Sequence, residues 1–278
     1  MLVNKKCVSF VLVFLFLAAA LLGGYTAAEE TSGAQESPAA DPDTAVEDAP
    51  RSPDEELKAQ ILENYTMTKG FHETETINWG YWLYDPNLPD QTESLPLVVY
   101  LHGSRGAGQN PDLLIRYDRG LGRFIDEGLI AVNALLFLPQ SETAWESGYD
   151  ELAELIIWAV EEFGADPERV CLVGCSAGGI GCFEMLLRYP ELFCCGVPIG
   201  ASTNPRAVAG IKTPLRIYHG VRDFNMGFSV VEANKLINQN GGHSELIMMK
   251  NTRHNEQLVL YDDSWGLWDW VLAQGSAA

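Results

Sequence analysis

Short strand-like runs of apolar residues recur along this chain, with longer amphipathic segments between them, and this alternation does most to limit the folds it can adopt. The runs are INWGYWLY (77–84), LPLVVYLHG (95–103), ALLFLP (134–139), RVCLVG (169–174), CCGVPIG (194–200), LRIYHG (215–220) and ELIMMK (245–250). A strand with one solvated face alternates polar and apolar residues, so a continuous apolar run indicates a strand covered on both faces. Such strands are typical of the centre of a parallel sheet.

The segments between these runs carry charge on one side, as surface helices do. The clearest is DELAELIIWAVEEFG (150–164), which closes at Gly164 before an Asp-Pro turn. Further helices are predicted at 177–189, 229–239 and 264–273, and the acidic lead at 54–68 is also compatible with a helix. The alternation predicts an α/β fold with a doubly wound, mostly parallel sheet, whose ligands lie beyond the carboxyl ends of its strands.

The first 53 residues have a different composition. Lys5 and Lys6 precede an apolar run at 7–24, and Thr26-Ala27-Ala28 follows, which predicts a signal peptide at 1–28. The run is also close to the length that spans a bilayer, so an uncleaved N-terminal membrane anchor is the alternative. Residues 29–53 are rich in Ala, Pro, Ser and acid, which predicts a disordered linker. Residues 54–278 suit one α/β domain, and the expected location is secreted or cell-surface.

Charge and cysteine usage exclude some functions. The formal charge of −20 argues against nucleic acid or an anionic lipid surface as a partner, because both are polyanions. The composition predicts no oligomeric state. After residue 28 the cysteines are confined to one 25-residue stretch, and they are Cys171, Cys175, Cys182, Cys194 and Cys195. Small buried thiols are the expectation, with one disulfide as the alternative, and the spacing predicts no zinc site.

A serine between two glycines stands where a predicted strand meets a predicted helix. Gly174-Cys175-Ser176-Ala177-Gly178 fits G-x-S-x-G, the nucleophile elbow, although the same pattern also occurs in structural turns. In an elbow the turn is so tight that a side chain at position 174 or 178 would clash with neighbouring backbone, so glycine is required at both positions. The following helix aims its first amides above Ser176 Oγ, so the Ala177 N–H is a predicted oxyanion donor.

A second oxyanion donor is expected from the loop after an earlier strand. In LVVYLHGSRGAGQN the strand ends at His102-Gly103, and the Ser104 N–H is the best candidate. His102 itself is interpreted as an organiser of this loop.

A nucleophilic serine needs a histidine base and a carboxylate that orients the base. Elbow sequences carry these groups in the order serine, acid, histidine. Of the five histidines, His72, His102, His219, His243 and His254, only the last follows the final strand at its carboxyl side, so we predict His254 as the base. Asp223, three residues past LRIYHG, is the predicted acid, with Glu232 and Glu245 as alternatives.

Five ordered motifs give the chain a resemblance to a known superfamily. They are PLVVYLHGSRGAG, LFLPQSETAW, DPERVCLVGCSAGG, LRIYHGVRDFNM and RHNEQLVLYDDSWGLWDWVL, spread between about Asn78 and Ala273. The chain resembles the α/β-hydrolases, and within them the compact serine esterases grouped with polyhydroxybutyrate depolymerases, feruloyl and acetylxylan esterases, and predicted peptidases of the prolyl-oligopeptidase type. The short segment between CCGVPIG and LRIYHG leaves no room for a large cap domain.

The resemblance implies a secreted serine carboxylic-ester hydrolase that needs no cofactor and no metal. Its expected partner is a small-molecule or polysaccharide-linked ester of the plant-wall type, feruloyl or acetyl. The candidate pocket residues are Trp145, His102 and Phe224, with packing on the sheet edge as the alternative for Trp145. A serine peptidase of prolyl-oligopeptidase type and a non-catalytic binding domain on a hydrolase scaffold are the alternative functions.

Overall fold

The computed structural model describes residues 53–73, 78–116, 120–262 and 264–275. The strands are β1 (Thr66–Glu73), β2 (Asn78–Asp85), β3 (Leu97–Leu101), β4 (Leu135–Pro139), β5 (Val170–Cys175), β6 (Cys195–Ile199), β7 (Leu215–Gly220) and β8 (Ser244–Met249). The α-helices are α1 (Pro53–Asn64), α2 (Leu113–Arg116), α3 (Leu121–Asp126), α4 (Tyr149–Glu162), α5 (Ala177–Arg188), α6 (Pro205–Val208), α7 (Ser229–Gln239) and α8 (Leu267–Leu272). The predicted signal peptide and all but the last residue of the predicted linker lie outside the described residues.

Within the described residues, eight strands join one sheet in the order β1-β2-β4-β3-β5-β6-β7-β8. The pairs β1–β2 and β2–β4 are antiparallel, and every other pair, from β4 through β3 to β8, is parallel. The predicted mostly parallel sheet is therefore confirmed. Its antiparallel pairs lie at the β1 edge, away from the strands that carry the candidate site.

Two apolar cores cover the two faces of the sheet. Leu97, Val99 and Leu101 of β3 face a core that includes buried side chains of α4, α5 and α7. Val98 and Tyr100 face a second core built with α3 and α8. Every residue of β3 is buried, because the strand is covered on both sides. This is the physical origin of the uninterrupted apolar runs.

The edge of the sheet departs from the prediction. The acidic lead is helical only as far as Asn64, and β1 begins at Thr66 instead of continuing the helix. His72 lies within this first strand. No residue of β1 is fully buried, and its sequence, TMTKGFHE, carries no continuous apolar run.

The chain between β6 and β7 contributes only the one-turn helix α6. No cap domain is inserted at this point, as the short sequence predicted. Within the described ranges, no helix combines the length and apolar character that crossing a bilayer requires.

Candidate active site

Ser176 lies between the end of β5 and the start of α5. Its backbone has φ 58° and ψ −117°, a conformation that costs a residue with a side chain about 1–3 kcal/mol. Two backbone hydrogen bonds maintain it: the Ser176 N–H donates to Ile199 O at 2.8 Å, and the Ile180 N–H donates to Ser176 O at 3.1 Å. This strained conformation places the serine at the tip of a sharp strand-to-helix turn.

The two glycines that flank the serine allow α5 to approach the sheet closely. A Cβ atom on Gly174 would lie 2.3 Å from the carbonyl oxygen of Gly178, and one on Gly178 would lie 1.9 Å from that of Leu101. Both obstacles are backbone atoms, so no side-chain movement could relieve the overlap. The spacing of the motif is thus a requirement of this turn.

Three predicted residues converge at the carboxyl ends of the parallel strands. Ser176 Oγ lies 2.9 Å from Nε2 of His254, and Nδ1 of His254 lies 2.7 Å from Oδ2 of Asp223. Asp223 is 1% exposed, and the His254 side chain is 18% exposed. The serine hydroxyl is hydrogen-bonded to the imidazole, and the other ring nitrogen faces a buried carboxylate. In this arrangement the hydroxyl can transfer its proton to the ring.

The alternative acids lie elsewhere. Glu245 pairs with Arg216 at 2.7 Å near the amino end of β8, and Glu232 pairs with Lys235 on the exposed side of α7. Neither carboxylate contacts His254, so the structure assigns the position beside the ring to Asp223 alone among the three candidates.

Gln257, which the sequence patterns did not single out, completes the surroundings of the carboxylate. Its Nε2 donates to Oδ2 of Asp223 at 2.8 Å, and its Oε1 accepts the Gly220 N–H at 3.1 Å. The Met226 N–H donates to Oδ1 at 3.3 Å. Gln257 follows His254 by three residues in the 3-10 helix His254–Asp262, where side chains at i and i+3 align. That spacing is the signal that could have identified it.

A cavity of about 220 Å³ opens beside the serine and the imidazole. It is lined by Tyr100, Gly103, Ser104, Arg105, Gly120, Cys175, Ser176, His254, Asn255 and Leu258. Among the described residues of this lining, Arg105 is the one ionisable cation apart from the imidazole. The described lining is thus mostly uncharged, although the chain as a whole is acidic.

The two predicted oxyanion donors come from two different elements beside Ser176. Ser104 begins a 3-10 turn after β3 and lines the cavity, while Ala177 is the first residue of α5. Within the described part of the chain, neither amide donates to a backbone acceptor. Both remain available to an oxygen bound beside the serine.

His102 and Trp145 are both buried and do not line the cavity. The Ser141 N–H donates to Nε2 of His102 at 2.9 Å, and Nδ1–H of His102 donates to Gly103 O at 2.7 Å. Burial lowers the pKa of His102 to about 4. The indole N–H of Trp145 donates to His102 O at 2.8 Å, and the Trp145 side chain is buried. Neither residue lines this cavity, and their contacts are those of a loop organiser and a packing residue.

Phe224, the third predicted pocket residue, is 77% exposed and packs edge-on against Phe228. It does not belong to the lining of this cavity, so its contact with a substrate stays a prediction. The sequence patterns did not single out four of the side chains that do line it, Tyr100, Arg105, Asn255 and Leu258.

Comparisons with known proteins agree with this architecture. No protein-family model matches the chain. It is 24% identical over 129 residues to Probable acetylxylan esterase A of Aspergillus niger, and the match covers 42% of this chain and 40% of the relative.

Three solved structures share the fold. A thermostable esterase superposes with a TM-score of 0.62 at 19% identity, over 77% of this chain and 64% of the other. A dipeptidyl aminopeptidase IV-type protein of Bacteroides ovatus gives 0.58 at 16% identity, over 74% and 36%. A ferulic acid esterase gives 0.55 at 13% identity, over 75% and 98%. The predicted α/β-hydrolase fold is confirmed. The chain spans less than half of the acetylxylan esterase and just under two thirds of the thermostable esterase.

Proposed function

We propose that the protein is a serine carboxylic-ester hydrolase that works through an acyl-enzyme intermediate. The observation that carries this proposal is the continuous hydrogen-bonded series from Ser176 through His254 to the buried Asp223, with its serine end at the cavity. A buried carboxylate that accepts bonds from an imidazole and an amide is well placed to hold one ring tautomer. The strained conformation of Ser176 supports the same role, because such strain persists where function requires it.

In the first half of the reaction, Nε2 of His254 takes the proton of Ser176 Oγ while the oxygen attacks the ester carbonyl. Asp223 orients the ring and stabilises the imidazolium. The tetrahedral oxyanion accepts hydrogen bonds from the amides of Ala177 and Ser104. His254 then gives its proton to the leaving alcohol, and the acyl group stays on Ser176.

In the second half, His254 removes a proton from water, which attacks the acyl-enzyme. The same two amides hold the second oxyanion. Collapse of this intermediate returns the proton to Ser176 Oγ and releases the acid. Every proton is carried by the one imidazole, so the reaction requires only groups that this chain supplies.

The proposed substrates are extracellular acetyl or feruloyl esters, small or attached to polysaccharide, and the proposed location is secreted or cell-surface. The names of the acetylxylan and ferulic acid esterases support this choice of substrate. The cavity supports it as well, because about 220 Å³ accommodates an acyl group while a bulky alcohol stays outside. The apolar run at 7–24 supports export.

A peptidase activity is the second candidate, because the fold is shared with a dipeptidyl aminopeptidase IV-type protein. Amides and esters pass through the same acyl-enzyme, so turnover decides between them. We expect the protein to hydrolyse p-nitrophenyl acetate and methyl ferulate much faster than peptide p-nitroanilides. Peptide cleavage that exceeds ester cleavage would favour the peptidase.

Covalent labelling tests whether the domain is catalytic at all. A fluorophosphonate should label the parent protein once, and the label should be absent from Ser176→Ala. Ser104→Ala is the matched control, because it removes a hydroxyl from the same cavity but keeps the backbone amide. A parent protein that resists labelling would favour a non-catalytic binding domain.

A further inference from the structure

Three thiols meet at the end of the sheet opposite Ser176. Cys171 of β5 and Cys195 of β6 are cross-strand partners in the parallel ladder, and Cys194 directly precedes β6. The three sulfur atoms all lie within 4.8 Å of one another, and Sγ of Cys171 is 3.4 Å from Sγ of Cys194. Cys171 and Cys195 are buried, whereas Cys194 is partly exposed. The proposed hydrolysis uses none of them.

We propose that Cys171, Cys194 and Cys195 form a binding site for a soft monovalent cation, Cu(I). A three-coordinate ion with metal–sulfur bonds of about 2.3 Å needs sulfur atoms about 4 Å apart. The observed separations, from 3.4 Å to at most 4.8 Å, bracket that spacing. Side-chain rotations that move each sulfur by less than about an ångström would complete the site.

The donor set favours Cu(I) over Zn(II). Structural zinc takes four protein ligands in a tetrahedron, whereas in the described part of the chain this cluster contains three cysteines and no histidine, aspartate or glutamate. Thiolates are soft ligands that suit both Cu(I) and Zn(II), so the number of donors, three instead of four, makes the distinction. Two carbonyl oxygens lie near Sγ of Cys171, that of Val271 in α8 at 3.7 Å and that of Arg169 at 4.0 Å. A peptide oxygen is a poor ligand for a soft ion.

A cation next to the cluster balances part of the charge. Three thiolates and one Cu(I) carry a net charge of −2, which is costly to bury without compensation. Arg169 lies two residues before Cys171, and its Nη2 donates to Leu272 O at 2.9 Å. Its Nε is buried, and within the described residues it has no hydrogen-bond acceptor. A thiolate would satisfy this donor.

The site has an entrance and a cover. Cys194 is the partly exposed member, so an ion can reach the cluster from its side. The C-terminal turn lies over it: a Cβ atom on Gly275 would be 3.2 Å from Cβ of Cys194. Because α8 and this turn pack on the cluster, bound Cu(I) would tie them to β5 and β6 and stabilise the folded state.

The test is a Cu(I) titration of the reduced full chain under anaerobic conditions, in competition with bathocuproine disulfonate. We expect one Cu(I) per chain and a higher thermal unfolding midpoint with the ion. Cys171→Ser and the partly exposed Cys194→Ser should each weaken binding on the order of 100-fold or more, because each removes a thiolate ligand. Cys182→Ser is the matched control, since it removes a fully buried thiol outside the cluster and should leave binding unchanged.

Three results would overturn the proposal. One is Cu(I) binding that Cys194→Ser leaves intact. Another is Zn(II) binding at least as tight as that of Cu(I), measured by competition with the zinc chelator 4-(2-pyridylazo)resorcinol. The third is a Cys171–Cys194 disulfide in protein isolated aerobically and mapped by mass spectrometry without reduction. The readouts do not depend on ester hydrolysis, so the proposal stands or falls separately from the proposed function.

Discussion

Replacing Gln257 with glutamate isolates the electrostatics of the buried carboxylate with almost no change of shape. The amide of Gln257 donates to Asp223 and accepts from Gly220. In its protonated form, the introduced glutamate can make both of these bonds, because its hydroxyl donates and its carbonyl accepts. In its ionised form, it would place a second negative charge 2.8 Å from Oδ2 of Asp223, in a site where the two native residues are each 1% exposed.

Folding should therefore raise the pKa of the introduced carboxyl above that of a free glutamic acid, about 4.3. Below pH 4 the variant should match the parent in stability, and it should lose stability as the pH rises, until the pH reaches its folded-state pKa. Each pH unit in that window costs about 1.4 kcal/mol. If the proton is still held at pH 7, about 2.7 units above the free value, the loss is about 3.7 kcal/mol.

Urea unfolding at pH 4.5, 5.5, 6.5 and 7.5 measures this loss, and the pH dependence of kcat/KM for p-nitrophenyl acetate measures its effect on activity. The difference in unfolding free energy between parent and variant should grow with pH, and so should the ratio of their kcat/KM values. Gln239→Glu, an exposed substitution of the same charge, is the control and should show no such trend. If both quantities stay constant with pH for Gln257→Glu, as they should for the control, the reasoning is refuted.

Four further substitutions test other parts of the site. Asp223→Asn should lower kcat by about 10³–10⁴-fold with little change in KM, because the ring loses its orienting partner; a loss under tenfold would contradict the proposed role. Gly178→Ala should cost more than about 3 kcal/mol in urea unfolding, because its Cβ would lie 1.9 Å from a backbone oxygen, whereas Gly210→Ala, with nothing within 4 Å, should stay within about 1 kcal/mol. In the parent, the pKa of about 4 keeps the folded His102 ring neutral, while the unfolded ring binds a proton below about pH 6.5, so this residue should cost about 2 kcal/mol of stability between pH 7 and pH 5. His102→Gln should abolish that loss in urea unfolding. Arg105→Gln should reduce kcat/KM for an ester with a free carboxylate in its acyl group several-fold more than for p-nitrophenyl acetate, since Arg105 is a cation in the described cavity lining; equal losses would show that it does not select charge.

Local pattern was sufficient for most of the fold. The central strands and the long helices α4, α5 and α7 lie within a few residues of the predicted segments. A strand buried on both faces has a continuous apolar sequence and an amphipathic helix has a periodic one, so both can be recognised from neighbouring residues. The edge strand β1 escaped prediction because its residues are exposed or only partly buried, so its sequence has no continuous apolar run. Short connections such as α6 carry no periodicity that a single sequence could reveal.

The candidate site divides in the same way. Ser176, Gly174 and Gly178 are recognisable from one short motif, since the tight turn restricts residue types within it. Asp223 and His254 were placed by motif order and by their positions after strands, which brings residues distant in sequence to one edge of a parallel sheet.

The sequence by itself thus determined the layers, the turn and the choice of three polar residues, because each depends on neighbours along the chain. Only the tertiary structure decided that Gln257 reaches Asp223, that the indole of Trp145 bonds to His102, and that the thiols of Cys171, Cys194 and Cys195 meet at the far end of the sheet. These contacts depend on which strands are neighbours, on their register and on side-chain direction, and such long-range geometry leaves no periodic trace in a single chain.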